Sequence, residues 1–240
     1  YVQDIRNEYK LIRENFKNSE QKREFLSLKD ARKNRTQIEW NDYIPPIPNF
    51  IGTRKFEVTV EKLIPYIDWM PYFWTWDIHG KYPDMLKQDN QLGEKSREVL
   101  NDAKNLLDQI VNENLLTPKG VYGFFHANNV GDDIYVYDEN YNHIETFYFL
   151  RQQMKKKDDT PNRSLADFIA PKSSGIKDFI GAFSVTSGKE VEILAKKYRD
   201  DKDDYSCILI QAIGDRLAEA YAEFLHEVTR KEWGLSLIHI

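Results

Sequence analysis

Cysteine is almost missing from this 240-residue chain, and Cys207 is the only one. A single thiol builds neither a disulfide framework nor a thiolate metal cluster, and it suits a reducing compartment, so a cytoplasmic location is expected. Histidine is scarce too. His79, His126, His143, His226 and His239 are scattered without ligand spacing, and no protein-bound metal is expected in this chain. Positive charge is not in excess: 34 Lys and Arg face 39 Asp and Glu, for a net charge of −5. A nucleic-acid binder needs a basic face to neutralise phosphates, so that class is excluded. No run approaches the ~18 apolar residues of a membrane span, and the N-terminus is charged rather than signal-like, so no membrane partner is expected.

Local catalytic signatures are also lacking. There is no Ser-His-Asp or Cys-His set in a recognisable local setting, no glycine-rich phosphate loop after a strand, and no closely spaced carboxylate pair of the glycosidase kind. Self-contained catalysis is not expected. Aromatic side chains, by contrast, are abundant, with 14 Tyr, 13 Phe and 5 Trp, enough to build flat apolar walls for packing or for a ligand.

The chain opens with Ile5, Tyr9, Ile12 and Phe16 recurring at helical spacing among charged residues, predicting one helix to about Lys33, with Asn18-Ser19 as the candidate break. Pro45, Pro46 and Pro48 then enforce an extended entry, where a domain boundary is placed. Lys55–Val60 alternates as a strand, Val60–Ile67 reads as a short helix, and the region from about Leu92 to Leu116 as a long one stopped by Thr117-Pro118-Lys119-Gly120. An antiparallel meander follows: Val121–His126, a turn over Asn128–Asp133, Ile134–Tyr137, and Ile144–Phe149. Leu165–Pro171 predicts a short helix ended by proline. Phe179–Thr186 predicts a central strand, with Gly181 where a neighbour approaches closely. Two helices, about Lys189–Tyr198 and Tyr205–Trp233, close the pattern across an acidic run. The fold class expected is α+β, a twisted antiparallel sheet with long flanking helices.

Two features carry candidate chemistry. In Tyr66-Ile67-Asp68-Trp69-Met70-Pro71-Tyr72-Phe73-Trp74-Thr75-Trp76 one carboxylate stands among large apolar neighbours. Such a group needs a partner, because burying an unpaired charge costs several kcal/mol. Two readings are open, a ligand's cationic group or a helix or turn capped by Asp68. On the last helix, Ile210, Ile213, Leu217, Tyr221, Phe224 and Val228 form the core line, while Asp215, Glu219, Glu223 and Glu227 follow another face at i, i+4 spacing. Like charges so spaced repel by a few tenths of a kcal/mol each. That stripe is either a solvated face or a partner or ligand surface. Asp68 with Glu219 would suit a small cation such as an amine or a sulfonium.

These segments also carry a resemblance. Tyr66–Phe73, Gly80-Lys81-Tyr82-Pro83, Val130-Gly131-Asp132-Asp133-Ile134, Leu165–Lys172, Ile180–Thr186 and Asp215-Arg216-Leu217-Ala218-Glu219-Ala220 resemble, in that order, the activation domain of cobalamin-dependent methionine synthase. The resemblance implies a single C-shaped domain that binds S-adenosylmethionine and supports reductive methylation of oxidised cobalamin. Cobalamin would be held by an upstream module, a flavodoxin-type or other reductase would supply the electron, and zinc would belong to another module of the full enzyme. It implies residues 1–38 as the helical connector to the cobalamin-binding module, 39–234 as the activation domain and 235–240 as a tail unlike the family. Asp68 matches the family's S-adenosylmethionine-binding Asp; Glu219 matches an acidic position near ligand and cobalamin; Asp215 would meet the cobalamin module. The family's Arg-Pro-x-Pro-Gly-Tyr-Pro segment does not follow Trp233-Gly234, so a C-terminally truncated, catalytically incomplete fragment of a methyltransferase is expected. The alternative is a non-catalytic module that binds S-adenosylmethionine or docks on a corrinoid protein.

Overall fold

The computed structural model describes residues 2–20, 24–156, 158 and 160–235. Among these, in chain order, lie α1 (Val2–Glu20), α2 (Leu28–Lys33), β1 (Gly52–Glu57), α3 (Val60–Leu63), α4 (Trp69–Thr75), α5 (Gln91–Asn112), β2 (Lys119–Val130), β3 (Asp133–Tyr137), β4 (His143–Tyr148), β5 (Asp178–Thr186), α6 (Glu190–Asp200) and α7 (Asp204–Glu232). The strands run in the order β1-β2-β3-β4 with β5 on β2, and β1/β2, β2/β3 and β3/β4 are antiparallel. The α+β class read from the sequence holds. The chain forms two compact units, residues 1–45 with 125–180 and residues 46–124 with 181–240, so β2 and β5 each pass from one unit into the other.

In the first unit the N-terminal stretch is two helices. α1 runs through Asn18 and Ser19 to Glu20, and α2 begins afresh at Ser27, whose hydroxyl accepts from the Asp30 N–H at 3.1 Å. A serine N-cap of this kind starts a helix, which apolar spacing alone does not reveal. α2 is fastened to its own unit: Ala31 is fully buried and the Arg32 guanidinium donates to Asp132 Oδ2 at 2.8 Å. The expected turn at Asn128–Asp133 shrinks to Gly131-Asp132, because β2 continues through both asparagines to pair Val130 with Asp133. Their side chains explain the continuation. Asn128 donates to the carbonyls of Ala170 and Ile176, and Asn129 to that of Ala166, so polar residues that signal a turn here tie β2 to a neighbouring loop. Gly131, at φ +74, supplies the left-handed residue a two-residue hairpin requires.

The second unit holds the larger core. α7 starts at Asp203, which accepts from the Ser206 N–H at 3.0 Å, and buries Ile210, Ile213, Leu217 and Tyr221 as the periodicity predicts. Its buried face is wider than predicted, taking in Leu209, Ala212, Ala220 and Leu225, because α6 as well as α3 to α5 pack on it. α5 starts where predicted but ends at Asn112, short of the predicted Leu116, and Asn114 just beyond it takes φ 51. β5 differs from expectation: Gly181 to Ser184 are exposed, so the apolar run is not a covered central strand. Gly181 does have its close neighbour. A Cβ there would lie 3.0 Å from the Trp233 ring, which also packs on Phe124 at 5.1 Å.

Candidate functional site around Asp68

Pro65 and the short 3-10 turn Ile64–Tyr66 bring the chain to Asp68, the N-cap of α4. The carboxylate accepts from the Met70 N–H at 2.9 Å, so the capping reading of Asp68 is realised. Its setting differs from the expected one. The side chain is exposed, while Ile67, Tyr72 and Phe73 turn inward and are buried, so the aromatic surface lies beneath the carboxylate rather than around it. A helical turn separates the two: one face of a short helix faces the core and its N-cap faces water.

What lies beneath is rigid. Tyr72 is fully buried, its hydroxyl donates to Val99 O at 2.6 Å, and burial pushes its phenol well above the usual tyrosine range. Trp69, Phe73 and Trp76 pack on the Tyr72 ring at 5.6, 5.7 and 6.4 Å. The Gly80–Pro83 segment folds back on α4, with the Tyr82 N–H 3.3 Å from Met70 Sδ and its ring against Phe73. On the other side the Tyr66 ring meets Phe224 of α7 at 5.3 Å, and its hydroxyl donates to Glu227 Oε2 at 2.8 Å. Glu227 is further paired with Lys231, and these bonds hold its carboxyl below the usual range.

Asp215 and Glu219 are exposed on α7, in the same unit as Asp68. Glu219 pairs with Arg216 one turn earlier. Of the four acidic residues in the stripe, Glu219 and Glu227 therefore have basic partners, which relieves the repulsion inferred from spacing. Asp68 and Glu219 have separate partners, and among the described residues no hydrogen bond or ion pair joins them.

Two other acidic residues in the family-like segments have a different place. Asp132 and Asp167 converge on Arg151, which is buried: its Nε donates to Asp132 at 2.7 Å and its two terminal nitrogens to the Asp167 carboxylate at 2.9 and 2.6 Å. Burial opposes ionisation of both, yet Arg32 and Arg151 at Asp132, and Arg151 with the Ser164 N–H at Asp167, leave both carboxyls below the usual range. Arg151 has no signal in the sequence, since an Arg beside Gln-Gln-Met reads as surface. His126 was expected to close a strand. It sits within β2, its ring stacked on Tyr141 at 4.0 Å and against Phe179 at 4.9 Å, with a buried Nδ1 that has no hydrogen-bond partner in the structure. Among the described residues no group of His, Cys, Asp and Glu is arranged to hold a metal ion, and no helix is long and apolar enough to cross a membrane.

An antiparallel sheet flanked by helices, with a capped aromatic helix laid along a long C-terminal one, defines a mixed α+β domain with an exposed carboxylate over an apolar wall. The model of the vitamin B12 dependent methionine synthase activation domain matches residues 59–237, and the chain belongs to that family. The chain is also similar to a crystal structure of the MetH reactivation domain bound to AdoHcy, at 45% identity and a TM-score of 0.82. The match covers 88% of this chain and 65% of that one.

Proposed function

We propose that this chain binds S-adenosylmethionine and serves the reactivation of a cobalamin-dependent methionine synthase, a methyltransferase. The observation that supports this most is the 45% identity to a reactivation domain solved with AdoHcy, the demethylated form of that ligand. AdoHcy and S-adenosylmethionine share the adenosine and amino-acid parts and differ by one methyl group and the positive charge on sulfur. In this reading Asp68 receives the ligand's ammonium group, because it is the carboxylate that stands clear of a basic partner above the α4 wall. Glu219 adds negative charge for the cationic ligand, and Asp215 with Glu219 faces the module that carries cobalamin.

Cobalamin, held in that other module, supplies the metal-centred methyl acceptor, and a flavodoxin-type or other reductase supplies the electron. The contribution of this chain is binding and orientation: it holds the sulfonium methyl in one direction, so that transfer proceeds as though unimolecular.

The Met70 N–H bond favours a second reading, in which Asp68 is a helix cap only. Asp68→Asn separates the two, because asparagine caps as well as aspartate but carries no charge. Calorimetric titration with S-adenosylmethionine and AdoHcy is the measurement. Saturable binding by the parent chain, weakened about tenfold or more in the variant at unchanged thermal stability, supports the ligand role; equal affinities leave Asp68 as a cap.

A further inference from the structure

We propose that Tyr66 and Glu227 are positioning residues that set where the Asp68 carboxylate stands; this rests on the reading of Asp68 as a ligand-binding group. The 2.8 Å bond from the Tyr66 hydroxyl to Glu227 Oε2 crosses from the 3-10 turn to α7, 161 residues later in the chain. Tyr66 lies two residues before Asp68, and between them only Ile67 has its side chain in the core. The N-terminal approach to α4 is thus held at two consecutive residues, by burial of Ile67 and by the Tyr66 contact with Phe224 and Glu227. Beyond Asp68 the helix is held by Tyr72 on Val99 and by Trp76 on Tyr205, whose rings are 4.9 Å apart. Asp68 itself makes its hydrogen bond within α4. Its direction therefore follows from these flanking clamps; Trp76 and Tyr66 both reach α7, where Asp215 and Glu219 reside, and Tyr66 is the one on the Asp68 side of the helix.

Glu227 suits the task because Lys231, one turn on, pairs with its other oxygen and keeps the carboxylate in one rotamer. A tyrosine hydroxyl on an ionised acceptor makes a stronger bond than one between neutral groups. The acidic stripe on α7 then has a divided role, with Glu227 spent on internal positioning while Asp215 and Glu223 remain exposed.

Two measurements on this chain test the inference. The first needs no ligand: exchange of the Met70 amide hydrogen, which the Asp68 carboxylate protects, should quicken about tenfold in Tyr66→Phe and Glu227→Ala and return towards the parent rate in Glu227→Gln, whose amide oxygen accepts the same bond. The second is the affinity for S-adenosylmethionine, which should fall about fivefold in Tyr66→Phe and Glu227→Ala, recover in Glu227→Gln, and show no further loss when Tyr66→Phe is added to Asp68→Asn. Variants that lose thermal stability but keep both the Met70 exchange rate and the affinity would overturn the proposal. Absence of saturable binding in the parent chain would instead refute the ligand reading of Asp68, and the exchange experiment would still decide whether Tyr66 and Glu227 fix the cap.

Discussion

Arg151 and Asp167 face each other through two parallel hydrogen bonds, 2.9 and 2.6 Å long, with their side chains 1% and 2% exposed. The fork of the guanidinium matches the two carboxylate oxygens, and its remaining Nε reaches Asp132. Removing one member strands the others in a dry site. Arg151→Met is expected to lower unfolding free energy by about 3–5 kcal/mol, since the buried Asp167 carboxylate loses its guanidinium and Asp132 is left with Arg32 alone. Urea denaturation at neutral pH measures it. Asp132 and Asp167 have lowered pKa values in the folded state, so their contribution is complete above the ordinary carboxylate range and is lost as pH falls through the lowered values.

His126 should make the first unit acid-sensitive at higher pH. Burial, with Lys177 nearby, holds its imidazole below the usual histidine value, while Asp138 pulls the other way. A base whose folded pKa is depressed binds more protons when unfolded, so its stabilising effect is present above about pH 6.5 and declines as pH falls through the folded value. His126→Phe, which keeps the ring stack with Tyr141 and Phe179, should flatten the drop in stability between pH 7 and 5. Urea midpoints across that range would show it, and parallel curves for the two proteins would refute it.

Gly214 on α7 meets Val191 on α6, where an added Cβ would lie 2.8 and 2.9 Å from the two valine methyls. Alanine ordinarily favours a helix by about 1 kcal/mol over glycine. Here overpacking wins, because a β-branched side chain has little freedom to turn away. Gly214→Ala should be destabilising by about 1–3 kcal/mol alone and neutral or stabilising in a Val191→Ala background. A double-mutant cycle by thermal unfolding reads the coupling directly.

Tyr72→Phe deletes one buried hydroxyl and its 2.6 Å bond to Val99 O. That carbonyl lies in α5 and retains a helical environment, so the loss is expected to be about 1 kcal/mol, the net worth of one hydrogen bond. A loss several times larger in urea titration would mean that the ring itself has shifted and that the wall beneath Asp68 depends on the hydroxyl.

Helix and strand identities were legible wherever the apolar period was sustained, as in α5, α7 and the β3–β4 meander. The errors lie where one polar side chain decides. Ser27 starts a new helix, and Asn128 and Asn129 prolong a strand instead of ending it. Each outcome depends on a hydrogen bond to a backbone group whose position the linear pattern does not contain. Asp68 was singled out for its apolar neighbours in sequence, yet those neighbours alternate around a helix and leave it exposed. Arg151 was missed because burial of an arginine depends on two aspartates, 19 residues before it and 16 after, that only the fold assembles.

The passage of β2 and β5 between the two compact units limits how the molecule can be divided. The chain changes unit after Pro45, after Phe124 and after Ile180, and two of those changes fall inside a strand. No single cut releases either unit whole, and a truncation after Pro45 separates residues that belong to one unit. Limited proteolysis of the native protein is therefore expected to spare the Phe124 and Ile180 crossings, and rearranging the protein by fusion or exchange requires moving both strands together.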